Sequence, residues 1–136
     1  MLHSYTISPT GWVRKSEKNV HIDIEAEYSD ALLGIEGFSH LHVFYWFHEN
    51  DTPTGRGCLQ VHPRANPANP LSGVFATHSP MRPNLIALTL CRLIKVEGTR
   101  LFIEDIDARD GSPVIDLKCY IPGGPDAKTV RVPEWV

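Results

Sequence analysis

The sequence is poor in the features that announce most large cofactor folds and most surface chemistries. It has no apolar run near the roughly twenty residues a membrane helix needs, so no membrane partner is expected. Basic residues never run longer than two, at Arg14-Lys15, and the net charge is −3. That balance argues against a protein that tracks duplex phosphates by bulk charge, and no DNA partner is expected. The three cysteines, Cys58, Cys91 and Cys119, are odd in number, far apart and in no C-x-x-C pattern. They point to a reducing, cytoplasmic setting rather than a disulfide framework. The N-terminal stretch Met1 to Tyr5 has no basic-then-apolar signal pattern. There is no Gly-rich phosphate loop, no G-x-S-x-G elbow, no H-E-x-x-H and no G-x-G-x-x-G, which leaves a Rossmann-type site without support.

What is present is punctuation. Eleven prolines and ten glycines in 136 residues, with 42% hydrophobic residues, describe one domain of many short elements around a real core. Thr6 to Arg14 reads as an irregular first strand. Val20 to Glu25 alternates apolar and polar residues, the mark of a half-buried strand. Tyr28 to Ile35 has helical spacing, with Ser29 or Asp30 as cap and Gly34 or Gly37 as stop, and predicts one short helix.

Phe38 to His48 is rich on both faces, with His40, His42, Phe44, Trp46 and His48 on one side, and reads as a strand covered on both sides. Glu49 to Leu71 is a long connection carrying four prolines and one candidate edge strand, Cys58 to His62. Leu85 to Val96 is the longest strand candidate, with Ile86, Leu88, Leu90, Ile94 and Val96 on one face. It returns through a turn at Glu97-Gly98-Thr99 into Arg100 to Ile106, and Pro113 to Ile121 is a further strand. The expectation is an all-β domain, a small β-barrel over residues 1–122 with one short helix, followed by an extended tail over 123–136.

Three groups of residues invite chemistry. The rigid loop Ser79-Pro80-Met81-Arg82-Pro83-Asn84 presents a hydroxyl, a guanidinium and an amide on a backbone stiffened by proline, so Arg82 and Asn84 are candidate substrate contacts. His40-x-His42 with His48 invites a metal, but no third ligand lies at a diagnostic spacing; histidines hydrogen-bonded in a barrel wall are the simpler reading, and no metal is expected. Asp105, Asp107 and Asp110 read as turn and loop charges, whereas Asp116 sits in mid-strand, where a carboxylate is unfavourable, with Lys118 two residues on.

Three motifs in order resemble the TsaA-like (TrmO) family. They are Ala31 to Leu41 running into Trp46-Phe47-His48, Gly73 to Asn84, and Asp107 to Lys118. The resemblance covers most of the chain. It implies a TsaA-like barrel that binds S-adenosyl-L-methionine, usually near a homodimer interface. It also implies N6-methylation of a threonylcarbamoyl-adenosine beside the anticodon of a tRNA. By motif match the cofactor would touch His48, Glu49, His78, Leu88, Leu90, Gly111, Ser112, Pro113 and Val114.

On that reading Glu49 would take the ribose diol, and backbone N–H groups near Gly111-Ser112 would take the methionine carboxylate. Asp116, with Lys118, is the candidate proton acceptor or orienter, and an anticodon-loop base is already unpaired. The family usually has Arg where this chain has His78, Pro at Leu85, Gly at Ala87 and Thr at Ser112, and the third motif continues through Cys119 where the family has Pro. These departures motivate an alternative, a divergent cofactor- or RNA-binding module without transferase activity.

Overall fold

The computed structural model describes residues 3–136. Six strands close into an antiparallel barrel: β1 (Gly11–Lys15), β2 (Val20–Ile24), β3 (His40–Trp46), β6 (Ile86–Glu97), β7 (Arg100–Ile103) and β8 (Pro113–Cys119). Their order around the wall is β1-β2-β7-β6-β3-β8. A separate two-stranded sheet pairs β4 (Gln60–Val61) with β5 (Ser72–Gly73). The fold class expected from alternation and punctuation is thus the one formed. The first strand is shorter than its apolar pattern, because Pro9 has no N–H to give to a ladder.

β3 is paired along both edges. It runs against β6 from His40↔Arg92 to Trp46↔Ile86, and against β8 from Leu41↔Cys119 to Tyr45↔Val114. Leu41, Val43 and Tyr45 point inward and are buried, while His40, His42, Phe44 and Trp46 point outward and are half-buried. The interior is completed by Val13, Ile22, Leu101, Ile103 and Val114. Ala87 lies directly across from Tyr45, and this small residue leaves room for the ring in a narrow barrel. Cys91 is also interior, and burial pushes its thiol up to about 12, so it is an inert core residue at neutral pH.

Two bulges reverse the faces that simple alternation assigns. In β8, Tyr45 faces Val114 but Phe44 faces Asp116, so Ile115 is an extra residue. Val114 is therefore inside, whereas Asp116 and Lys118 stand outside, although strict alternation along the strand would put all three on one face. In β6 an extra residue lies between Leu93 and Lys95. Upstream of it Ile86, Leu88 and Leu90 face outward, and Ile94 is exposed with them, while Val96 packs against the core.

The segment expected as one helix over Tyr28 to Ile35 is two 3-10 helices, Ala26–Leu32 and Ile35–Gly37. Gly34 separates them in the left-handed conformation (φ 86°), as a stop residue should, but no side chain caps either helix. The one α-helix among the described residues, α1 (Pro53–Gly57), lies instead in the long connection; the Thr52 hydroxyl accepts the Gly55 N–H at 2.9 Å and Pro53 opens the first turn. The sheet ends at Cys119. Residues 123–136 are almost wholly exposed, with one 3-10 turn at Ala127–Thr129.

Closure of the wall depends on a close approach at Gly11. Its backbone joins β2 at Ile24 and β8 at Val114, and a Cβ placed there would lie 2.5 Å from the Asp23 carbonyl oxygen. Ile24 Cδ1, at 2.9 Å, could swing aside, but the Asp23 carbonyl is backbone and could not, so β1 would have to move. Gly11→Ala is expected to lower stability by about 1–3 kcal/mol. An unchanged urea midpoint would show that the β1 seam is not under this constraint.

Candidate functional site

A hollow of about 260 Å³ opens where β3 ends, and three separate loops converge on it. The end of β3 supplies Tyr45 and Trp46, followed by Phe47, His48, Glu49 and Asn50. The loop after β5 supplies His78 and Pro80, and the turn before β8 supplies Asp107, Arg109 and Ser112.

Local bonding fixes each contributor. Phe47 continues the β3 register by donating its N–H to the Leu85 carbonyl at 2.9 Å, after which His48–Asn50 coil into a 3-10 turn. In the second loop the Thr77 hydroxyl donates to the Val74 carbonyl and accepts the Ser79 N–H, so the backbone either side of His78 is tied down. In the third, Ile106 and Ala108 are buried in the core on either side of Asp107. Ser112 is 2% exposed, and its hydroxyl donates to the Arg109 carbonyl at 2.7 Å. Gly111, at φ 81°, makes the turn.

Charge is arranged around the mouth. Arg109 Nε lies 3.1 Å from Glu49 Oε2, bridging the first loop to the third. Both side chains are more than half exposed, so this pair contributes little stability and either partner is free to exchange. Behind the first loop, Asp51 accepts from Trp46 Nε1 (3.0 Å) and from Arg56 Nε (2.7 Å). The Arg56 guanidinium also stacks 5.3 Å from the Trp46 ring and donates to the Pro83 carbonyl. One side chain thereby ties α1, the loop after β3 and the loop before β6 together.

Deep in the hollow Tyr45 is 3% exposed, with its hydroxyl 3.2 Å from Thr89 Oγ1. Burial raises its phenol above the ordinary value against that hydrogen bond, and the Asp107 charge adds to the rise.

Of the residues expected at a cofactor, His48, Glu49, His78 and Ser112 share this hollow. The others do not line it. Leu88 and Leu90 stand on the outer face of β6, 55% and 47% exposed. Gly111 and Pro113 flank the turn into β8, and Val114 is sealed in the core. The backbone donors expected near Gly111-Ser112 are already used: the Gly111 N–H goes to the Val13 carbonyl and the Ser112 N–H to the Arg109 carbonyl.

Arg82 folds back, donating to the Thr77 and Ser79 carbonyls, and so stiffens its own loop; Asn84 is an exposed residue of the same loop. Asp116 and Lys118 are ion-paired at 3.3 Å on the outer wall. Asp116 borders a different hollow of about 440 Å³, whose walls include Leu32, Ile35, Phe38 and Leu117. The bulge at Ile115 is the reason. Among the described residues no three His, Cys, Asp or Glu side chains converge as metal ligands; His40 and His42 sit with Tyr120 on the outer wall, and His48 is at the hollow.

The sequence presents Asp107 as a loop charge and gives Arg109 no role. Their place in the site depends on a hairpin closing back onto β3, which no local spacing reveals.

The N-terminal domain model of tRNA-methyltransferase O matches residues 7–124. A probable S-adenosyl-L-methionine-binding protein of Pyrococcus horikoshii is 45% identical over 117 residues, 86% of this chain and 83% of that protein. A second, from Methanocaldococcus jannaschii, is 39% identical and covers 85% of this chain and 92% of that one. The tRNA (adenine(37)-N6)-methyltransferase of Mus musculus is 45% identical over 91 residues, 67% of this chain but 20% of that enzyme. A crystal structure of TrmO from Pseudomonas aeruginosa superposes with a TM-score of 0.70 at 27% identity, covering 95% of this chain and 62% of that one. The chain thus spans most of the archaeal relatives and less than two thirds of the bacterial one. No described helix is long and apolar enough to cross a membrane.

The Asp51 clamp makes an acid-range prediction. Hydrogen bonds from Arg56, then Trp46, hold the Asp51 carboxyl below its ordinary 3.8. A lowered folded value means the clamp is intact above the ordinary value and is lost as pH falls through the lowered one. In Arg56→Ala the Asp51 carboxyl should titrate closer to 3.8, read by carbon-detected NMR. A midpoint that does not move would show that Arg56 is not what holds the carboxylate.

Proposed function

This chain belongs to the tRNA-methyltransferase O N-terminal domain family, and we propose that it is an S-adenosyl-L-methionine-dependent methyltransferase acting on N6 of an adenine in tRNA. The observation that carries the reading is the convergence of His48, Glu49, His78 and Ser112, from three loops far apart in sequence, on one hollow. The names of the archaeal and mouse relatives support the cofactor and the reaction class.

The donor set fits the cofactor. Glu49 offers a carboxylate for a ribose diol, Tyr45, Trp46 and Phe47 offer aromatic surface for a nucleobase and a sulfonium, and Arg109 offers a guanidinium for a carboxylate. When bound, the cofactor supplies an electrophilic methyl group on a positively charged sulfur. The protein must hold the acceptor nitrogen in line with it and exclude competing water. Arg109 takes the carboxylate role that the spent N–H groups of Gly111 and Ser112 cannot fill, and the Glu49–Arg109 pair opens as each side chain turns to its own part of the ligand.

The specific acceptor is a threonylcarbamoyl-adenosine next to the anticodon. An anticodon-loop base is already unpaired and costs little to present. The working form is a homodimer in the cytoplasm. The outer strip of β6, Ile86, Leu88, Leu90 and Ile94, is 45–55% exposed and lies beside the half-buried Phe44 and Trp46. An apolar strip of this kind, interrupted by Arg92 before Ile94, favours a partner surface. Trp46 belongs both to the hollow and, through its pairing with Ile86, to the strip, so a second copy seated there would border the mouth. Leu88 and Leu90 would then serve the site indirectly, by building that seam.

Three measurements test these readings. Calorimetry should show S-adenosyl-L-methionine binding, and Glu49→Ala should weaken it by about tenfold, the loss of one charged hydrogen bond; no binding up to millimolar cofactor would remove the reading. Incubation with tRNA followed by nucleoside mass spectrometry should show a methyl group added to threonylcarbamoyl-adenosine, and cofactor binding without any transfer would instead mark a binding module. Separately, Leu88→Glu should convert the protein to a monomer in sedimentation velocity, and a wild-type protein that is itself monomeric would refute the dimer.

A further inference from the structure

We propose that Asp107, not Asp116, accepts the proton that the acceptor nitrogen loses during methyl transfer; this rests on the methyltransferase reading of the same hollow. Three carboxylates compete for the role. Asp116 is on the outer wall, held 3.3 Å from Lys118, at the border of the other hollow. Glu49 lines the hollow but faces Arg109 at 3.1 Å, and its geometry suits a ribose diol. Asp107 lines the hollow and forms no ion pair among the described residues. Its backbone is held by Ile106 and Ala108, 2% and 4% exposed, so the carboxylate is presented from a fixed support rather than a loose loop. It shares the lining of the hollow with Tyr45, His48 and Ser112.

The chemistry requires such a group. The exocyclic nitrogen forms a bond to the methyl carbon as the carbon–sulfur bond breaks, and that electron pair stays on sulfur, which becomes a neutral thioether. The nitrogen, now positive, sheds its proton to a carboxylate oxygen of Asp107, and neutrality is restored at the product. Asp107 is exposed, so the proton passes on to water. A negative charge beside the nitrogen also stabilises the positive charge that develops there.

The test compares wild type, Asp107→Asn, Asp107→Glu and Asp105→Asn. Asp105→Asn removes the same charge from the same turn at a side chain that points to Lys15. Single-turnover methylation of tRNA is measured with calorimetric cofactor affinity. Asp107→Asn is expected to lower the rate by about a hundredfold or more, the usual size of a general-base contribution, with cofactor Kd unchanged. Asp107→Glu should restore part of the rate, and Asp105→Asn should match wild type. Asp107→Asn that keeps its rate overturns the proposal, as does Asp107→Asn that loses cofactor affinity, which would make Asp107 a ligand-holding residue. A wild type that binds the cofactor yet methylates no tRNA overturns the reading beneath it, and that result is distinct from either outcome at Asp107.

Discussion

The structure depends on the pairing of β3 along both of its edges. Because β6 holds it from His40 to Trp46 and β8 from Leu41 to Tyr45, the direction in which the chain leaves at Phe47 is set by the barrel and not by the loop. Two of the three loops around the hollow are hung from that exit. The 3-10 turn of His48–Asn50 starts there, the Leu85 carbonyl receives the Phe47 N–H there, and the turn before β8 arrives beside it because Val114 must pair with Tyr45. A site built on a strand end is more exact than one built on a free loop, since its backbone bonds are already spent in the ladder. The long connection after Asn50 gains its order second-hand, from the Asp51–Arg56–Trp46 clamp.

Much of the barrel was legible in the residues. Val20-His21-Ile22-Asp23-Ile24 alternates and is a strand; Leu41, Val43 and Tyr45 alternate with polar or larger neighbours and are the interior of β3. What failed was period two across a bulge. Alternation places Val114, Asp116 and Lys118 on one face, and a single extra residue at Ile115 puts the first inside and the other two outside. That one residue misdirects any reading of Asp116 as a group in the site. The short helix failed for a related reason: Tyr28, Leu32 and Ile35 keep a repeat that α and 3-10 turns share, and Gly34 interrupts it.

The site was legible where motif residues sit next to a strand end and obscure where they depend on tertiary closure. His48 and Glu49 follow the most distinctive strand in the chain. Asp107 and Arg109 carry no local mark, because an Asp or Arg in a turn is usually just solvated, and only the return of β8 to β3 brings them to the hollow. The reverse error concerns Arg82. A guanidinium between prolines looks offered to a ligand, yet its donors are used on the Thr77 and Ser79 carbonyls. Its work is to make the loop carrying His78 rigid.

The same accounting of donors explains why the polar side chains at the mouth matter more than the backbone. Small nucleotide-binding folds often rely on free N–H groups at a helix start or a glycine turn. Here the turn at Gly111-Ser112 has spent both donors on closing the β1–β8 seam and its own reversal. A negatively charged group on a ligand must therefore meet Arg109 or His78, side chains that can move, rather than a fixed cradle. Arg109 is held by Glu49 in the meantime. The two charges at the mouth are thus paired with each other and exposed enough to turn elsewhere at little cost.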